Sequence, residues 1–364
     1  MKNTFGNNVS ITLFGESHGE AIGAVVDGLP AGIAVDEGFI ASQLTLRRPV
    51  GAISTPRAEK DAFTIVSGCF NGKTTGTPLC IIIPNENTQS KDYSATYGKA
   101  RPGHADFTAF SKYNGCEDYR GGGHFSGRVT AGLVAAGAVA IDLLKKKNIF
   151  IGTHILNCGG VNDVEFKDYE NEIKAISTKA FSVIDDSAGE QMIKKIKAAA
   201  TEGDSVGGVL QTAVVGLPVG VGEPWFDSLE GVISHGLFSI PGIKGVEFGI
   251  GFGCAQLLGS EMNDEYYYDN GTVKTATNNN GGINGGISNG MPVLFNCAVK
   301  PTPSIAKEQN TIDFVNDENT TLATRGRHDP CIVHRARVVV DSITALAVCD
   351  MLSQKFGTDW LGEG

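Results

Sequence analysis

Hydrophobic positions along the chain fall into two kinds of run. Short stretches, apolar or alternating and bounded by Gly, Pro or Asn, occur at Val9 to Phe14, Ala21 to Val26, Leu79 to Ile83, Val209 to Val215 and Val293 to Val299. That pattern predicts strands. Longer stretches carry apolar residues at helical spacing, with acidic or hydroxyl residues near their starts. They predict helices over Asp36 to Leu46, Thr130 to Lys147, Gly189 to Thr201 and Asp341 to Gln354. The Thr130 segment is apolar around most of its circumference until Asp142, so it must be covered on several sides. Strands interspersed irregularly with helices, without a strict βαβ rhythm, predict an α+β layered sandwich whose central helices are covered by antiparallel sheets. The stretch Glu265 to Gly290 is polar and glycine-rich and reads as a long mobile loop returning to a structured glycine turn. No linker-like composition marks a boundary, so residues 1–364 read as a single domain.

Composition narrows the classes. With 364 residues, 41% of them hydrophobic, the chain can bury a substantial core. Its 48 glycines follow no fixed period, which excludes collagen-like and solenoid architectures. The start MKNTFGNNVSITLFGESHG lacks a basic segment followed by an apolar one, and no window is expected to approach about 18 apolar residues. A cytoplasmic location without a membrane partner is the expectation. Eight cysteines are scattered without a CxxC pair, which reads as reduced, packed thiols and no metal centre. A net charge of −10 argues against nucleic acid as a partner.

The distribution of charge says more than the sum. All ten arginines lie in two blocks, Arg47 to Arg128 and Arg325 to Arg337, and none occurs between Val129 and Thr324, whereas lysines are spread throughout. Arginine is the planar, permanently charged fork that matches phosphate and carboxylate. Two distant blocks reserved in this way predict one shared anionic site.

Three histidine-bearing turns are candidates for the chemistry. Gly15-Glu16-Ser17-His18-Gly19 follows a strand and is no nucleophile elbow, because serine and histidine are adjacent, so His18 reads as a general acid or base. In Arg101-Pro102-Gly103-His104-Ala105-Asp106, Pro and Gly fix the backbone, and Asp106 is placed to orient or charge-tune His104. In Arg325-Gly326-Arg327-His328-Asp329-Pro330, a carboxylate lies among permanent cations, which favour its ionised form. The loop Arg120-Gly-Gly-Gly-His124-Phe125-Ser126-Gly-Arg128 offers consecutive amides before a buried helix, an anion cradle by composition. It is neither a Walker A loop, lacking Gly-Lys-Ser/Thr, nor a dinucleotide fingerprint. Residue chemistry alone stops at a phosphate-bearing ligand served by arginines, glycines, histidines and a carboxylate. A flavin- or nucleotide-binding enzyme acting on some other phosphorylated anion is the alternative.

Nine motifs in order, GESHG (15–19), RRP (47–49), RPGHAD (101–106), DYRGGG (118–123), GDSVGG (203–208), IKGVEFG (243–249), GGINGGIS (281–288), KPTPSI (300–305) and GRHDPC (326–331), resemble the chorismate synthase family over nearly the whole chain. The resemblance implies a lyase that converts 5-enolpyruvylshikimate 3-phosphate to chorismate by 1,4-anti elimination of phosphate and a C6 hydrogen. It also implies reduced FMN used without net redox change, NADPH as a candidate reductant, and a homotetramer. By the same resemblance, His18 protonates the leaving phosphate, His104 serves the reduced flavin, and Asp329, supported by Ser17, helps return the proton. Arg47, Arg48, Arg128 and Arg335 meet the substrate, while His124, Phe125, Ser126, Pro241, Gly242, Gly285, Lys300, Pro301, Thr302, Pro303, Ser304 and Arg327 meet the flavin. Two places depart from the family pattern. His124-Phe125-Ser126 stands where many relatives carry Arg-Ser-Ser, and Ile53 or a neighbour replaces an arginine for which Arg57 is the substitute at hand.

Overall fold

The computed structural model describes residues 2–54, 60–86, 97–324 and 329–362, so Arg57 and Arg327 lie outside the described residues. All five expected strands form. The first sheet runs Thr4–Phe5, Ser10–Gly15, Ala21–Asp27, Leu79–Pro84, Thr64–Ser67 in space, every pairing antiparallel. The second, also antiparallel, runs Ile243–Phe248, Val293–Val299, Gly208–Val215, Phe150–Cys158, Val161–Asn162. Alternation decides which side of each is buried: Leu79, Ile81 and Ile83 in one sheet and Val293, Phe295, Cys297 and Val299 in the other all turn inward.

Between the sheets lie the two longest helices, Thr130–Lys146 against the first sheet and Val333–Phe356 against the second, packed on one another. The result is the predicted α+β sandwich. Residues Gly127–Lys146 are in fact long and apolar enough to satisfy a membrane-span criterion, contrary to the expectation from the sequence, but 78% of that window is buried within the fold. It is a core helix whose lipid-like surroundings are supplied by protein.

Small residues let the layers approach. A Cβ on Gly132 would stand 2.7 Å from the carbonyl oxygen of Gly23 in the first sheet, and one on Gly137 would stand 2.3 Å from Cβ of Ser342 in the neighbouring helix. Buried polar groups then fix the register. Asp350, on the C-terminal helix, accepts from the amides of Asn7, Asn8 and Val9 at 2.7–3.0 Å, and Thr153 of the second sheet donates to Asp341 at 2.6 Å. Burial pushes the Asp341 carboxyl up to about 6 despite the nearby Arg337.

The helix that begins at Val333 starts earlier than the Asp341 predicted, because His334, Arg335 and Arg337 interrupt the apolar period in sequence yet find partners in the fold. Asp106–Tyr113, Tyr169–Ile176 and Leu229–Ser239 are short helices, and Phe150–Cys158 a strand, that the pattern did not single out. The strand carries Thr153 and His154 where an isolated sequence shows no alternation; both are fully buried and hydrogen-bonded.

The Glu265 to Gly290 segment is not a long loop. It forms two hairpins, Tyr266–Asp269 with Thr272–Thr275 and Ile283–Asn284 with Ile287–Ser288. Asp264 organises the connection between them, accepting from the Thr277 hydroxyl and from the amides of Asn279 and Asn280 at 2.6–2.9 Å. Composition could not reveal this, since a single buried carboxylate supplies the order.

The helix contact gives a direct test. Gly137→Ala inserts a methyl group where Ser342 leaves no room, so urea unfolding should show a loss of roughly 1–3 kcal/mol. Unchanged stability would mean that the helices are not in close contact there.

Candidate functional site

The Gly15–Gly19 turn leaves the end of an inner strand of the first sheet and rests on the glycine loop. The Ser17 amide donates to Gly123 O at 3.1 Å, and the Ser17 hydroxyl lies 3.2 Å from Arg120 O and 3.1 Å from Gly121 O. Ser17 Oγ is also 3.1 Å from Nδ1 of His18, and both residues are buried. Because the hydroxyl proton goes to a loop carbonyl, the oxygen is left to accept Nδ1–H of His18. Gly121 adopts φ +60°, and a Cβ there would lie 2.2 Å from Cε1 of His18, so glycine is required for the imidazole to pack on the loop.

This loop is less a cradle of free amides than its composition predicts. The amides of Gly122, Ser126, Arg128 and Val129 are hydrogen-bonded within the loop, and its carbonyls face the Ser17 turn. His124 Nδ1 donates to Gly15 O at 2.8 Å, so the histidine that replaces arginine braces the same turn. Phe125 is about half exposed and sits edge-on to Tyr113. Ser126 caps Arg128 N at 3.3 Å.

The two arginine blocks do meet. Arg335 Nε donates to Arg47 O at 2.8 Å, and its Nη1 pairs with Asp329 at 2.5 Å. Arg47 is buried, with Nε on the Thr130 hydroxyl, Nη2 on Gly127 O and Nη1 on Asp61. Arg47 is thus held in a fixed orientation by partners on three sides. Arg128 bonds Asn85 Oδ1 at 3.0 Å and Pro84 O at 3.1 Å, and forms an ion pair with the other oxygen of Asp61. Asn85 in turn donates to Glu16 O and Gly19 O at 2.9 and 3.0 Å, tying Arg128 to the His18 turn. Arg48 is placed differently: it lines a cavity of about 420 Å³ with Lys60, Asp61 and Phe63, and its buried Nε has no hydrogen-bond partner among the described residues. Asp61 and Asn85 were invisible to sequence reasoning, as each is a lone polar residue outside any motif.

His104 occupies a second cluster. Its Nε2 is 2.9 Å from the Ser304 hydroxyl and its Nδ1 3.4 Å from Pro102 O, while Lys300 Nζ donates to Gly103 O at 2.6 Å. Burial, then the neighbouring Arg101 charge, push the imidazole down to about 4, so it is neutral at neutral pH. Asp106 does not hydrogen-bond His104 and acts on the ring through its charge, which opposes the downward push. Both its oxygens are taken by Arg101, which binds them through Nε at 2.8 Å and Nη2 at 2.7 Å, a bidentate match of fork to carboxylate. Burial would raise the Asp106 carboxyl, but the Arg101 hydrogen bonds and charge hold it below the usual range.

The Lys300–Ser304 segment connects the remaining motifs. Lys300 N donates to Gly242 O at 2.9 Å beside Pro241, and the Ser205 hydroxyl donates to Thr302 O at 2.6 Å. Val206 N donates to Pro330 O, adjoining Asp329. Thr302 Oγ1 is buried without a hydrogen-bond partner among the described residues. Pro301 abuts Gly207, and Pro303 packs on Gly103. Gly285 lies in the second hairpin, whose hydrogen bonds run to residues 218–229, to Tyr266 and to Asn289, and among the described residues not to the other expected site residues.

The chain matches the family model described as chorismate synthase over residues 9–353. It is 46% identical over 352 residues to a chorismate synthase of Dehalococcoides mccartyi, covering 96% of each chain. It is 44% identical over 349 residues to that of Methanosarcina mazei, covering 96% of this chain and 95% of the relative. A crystal structure of chorismate synthase superposes with a TM-score of 0.76 at 28% identity, over 97% of this chain and 94% of that one.

Asp61 holds two guanidinium groups with a side chain that is 1% exposed. Asp61→Ala leaves both without that counter-charge, and chemical denaturation should register a loss of about 3–5 kcal/mol. A loss under about 1 kcal/mol, the scale of exposed pairs, would show that the carboxylate is not an essential link.

Proposed function

The chain belongs to the chorismate synthase family, and from that premise we propose that this cluster is where it eliminates phosphate from 5-enolpyruvylshikimate 3-phosphate to give chorismate. The reaction is that of a carbon–oxygen lyase: the C3–phosphate bond and the C6–H bond break, and a second ring double bond forms. The observation that carries the reading is the meeting of both arginine blocks, through Arg335 and Arg47, next to the His18 turn. A strongly anionic substrate is served by Arg48, which bonds Lys60 O but whose Nε has no partner among the described residues, and by Arg128 and Arg335, whose guanidinium groups are already oriented by Asp61 and Asp329. Pre-oriented forks lose less freedom on binding than free ones. Ser17 holds the His18 ring so that Nε2 presents the proton to the departing phosphate. Asp329, held by Arg335, is the carboxylate that would help carry off the proton released as the C6–H bond breaks.

The family uses a flavin, and we take it to be FMN, which in its reduced form would supply electron density to the departure of phosphate without net redox change. Residues of this chain fit such a group. Thr302 Oγ1 is a buried hydroxyl without a partner among the described residues, and it lies in the segment that also places Lys300 and Ser304 beside His104. Pro241 and Gly242 border that segment. His124 supports the flavin pocket indirectly, through its bond to Gly15. Residues 1–364 act as one domain in this reading, since one large apolar core draws on both sheets and both central helices, with a smaller cluster around Phe166 and Ile176 beside it.

The test is anaerobic. With dithionite-reduced FMN, 5-enolpyruvylshikimate 3-phosphate should yield chorismate absorbance and equimolar phosphate, whereas oxidised FMN alone should give neither. A parallel arm with NADPH and oxidised FMN asks whether the chain reduces its own flavin. Absence of chorismate with reduced FMN would overturn the reading.

We further propose a homotetramer. Trp225, Phe226, Phe252, Leu258 and Tyr268 are between 69% and 94% exposed, an apolar display that single chains rarely leave in water. Light scattering should return four times the 38.2 kDa chain mass, and Phe226→Glu should lower it. A wild-type monomer at micromolar concentration would contradict the assembly.

A further inference from the structure

Ser304 was expected to touch the flavin, yet its hydroxyl is 2.9 Å from Nε2 of His104. Two further contacts join the two segments at this point. Lys300 Nζ bonds Gly103 O at 2.6 Å, a Cβ on Gly103 would stand 2.8 Å from Cβ of Pro303, and Gly103 adopts φ +75°. The Arg101-to-His104 turn is thus gripped by the Lys300-to-Ser304 segment, and the serine is the part of the grip that reaches the ring.

We propose that Ser304 is a positioning residue for His104, donating its hydroxyl proton to Nε2 and so fixing the imidazole with its proton on Nδ1. The second nitrogen supports this assignment, since Nδ1 faces Pro102 O, which can only accept. The ionisable groups around the ring are Arg101 and Asp106 from its own turn and the following helix, and Lys300 from the facing segment. Among the described residues, the two cations oppose a third positive charge, whereas Asp106, the one acid, is committed to Arg101. A neutral ring needs a donor at Nε2, and a hydroxyl supplies one.

A hydroxyl also explains why serine suits this place better than a pure donor or acceptor. When an anionic ligand compensates Arg101 and Lys300 and the ring takes up a proton, the hydroxyl can rotate and accept from Nε2–H. The ring keeps its orientation in both protonation states, as acid–base chemistry at a fixed atom requires. The catalytic consequence rests on the proposed role of His104 beside reduced flavin; the tautomer assignment does not.

The test therefore begins on flavin-free protein. Long-range 1H–15N spectra of histidine-labelled chain, with His104→Asn to assign its signals, should show His104 neutral and protonated on Nδ1 in wild type. Ser304→Ala should shift the tautomer ratio toward Nε2–H by roughly three- to tenfold, the scale of one hydrogen bond, and Ser304→Thr should restore it. With reduced FMN and substrate saturating, Ser304→Ala should lower kcat about tenfold while leaving KM for the substrate nearly unchanged, and Ser304→Thr should recover kcat. A wild-type His104 protonated on Nε2, or an unchanged tautomer ratio in Ser304→Ala with weaker FMN binding alone, would overturn the proposal. Either result would leave the proposed reaction standing, whereas a wild-type protein without turnover would sink the reaction and not the tautomer assignment.

Discussion

The contact on which the rest depends is the approach of two buried helices at Gly137 and Ser342. Both helices are apolar where they meet, and both must be covered by a sheet on the other side, so the four-layer order follows from their surfaces. Further along, Cys349 Sγ lies 4.0 Å from Ala140 O, so contacts advance along both helices together and they run in the same sense. Their N-termini are therefore at the same end of the sandwich. One begins just after Arg128 and the other just after Asp329. The partial positive charge of two helix starts is focused where an anionic substrate is expected.

The cost of gathering arginines there is met by local counter-charges. Asp61 pairs with Arg47 and Arg128, Asp106 with Arg101, Asp118 with Arg120, and Asp329 with Arg335. Each carboxylate both neutralises and aims a guanidinium group, which allows several forks to stand near one another before any ligand arrives. Arg48, facing the open cavity, has no such carboxylate among the described residues. The histidines are held just as firmly but by neutral groups, Ser17 for His18 and Ser304 for His104.

Much of the site was legible because its residues occur in compact turns. Pro102, Gly103 and the three glycines at 121–123 announce unusual backbone, and arginine clustering announces an anion. What could not be read was direction. The glycine loop turns its carbonyls toward Ser17 and uses several of its amides internally, Asp106 prefers the fork of Arg101 to the ring of His104, and Arg47 is buried with its guanidinium on Thr130, Gly127 and Asp61. Each outcome depends on which partner lies nearest in space, and sequence separation hides that.

By itself, the sequence determined the periodic strands, the apolar central helix and the roster of chemical groups, because these depend on local backbone preference and on side-chain identity. The tertiary structure decided their pairings. It brought Arg335 to Arg47 across 288 positions and Ser304 to His104 across 200, and it turned a polar stretch into two hairpins around Asp264. The reason is physical: a buried charge or donor must find its partner wherever the chain folds back, and only the packed layers set which groups are within reach.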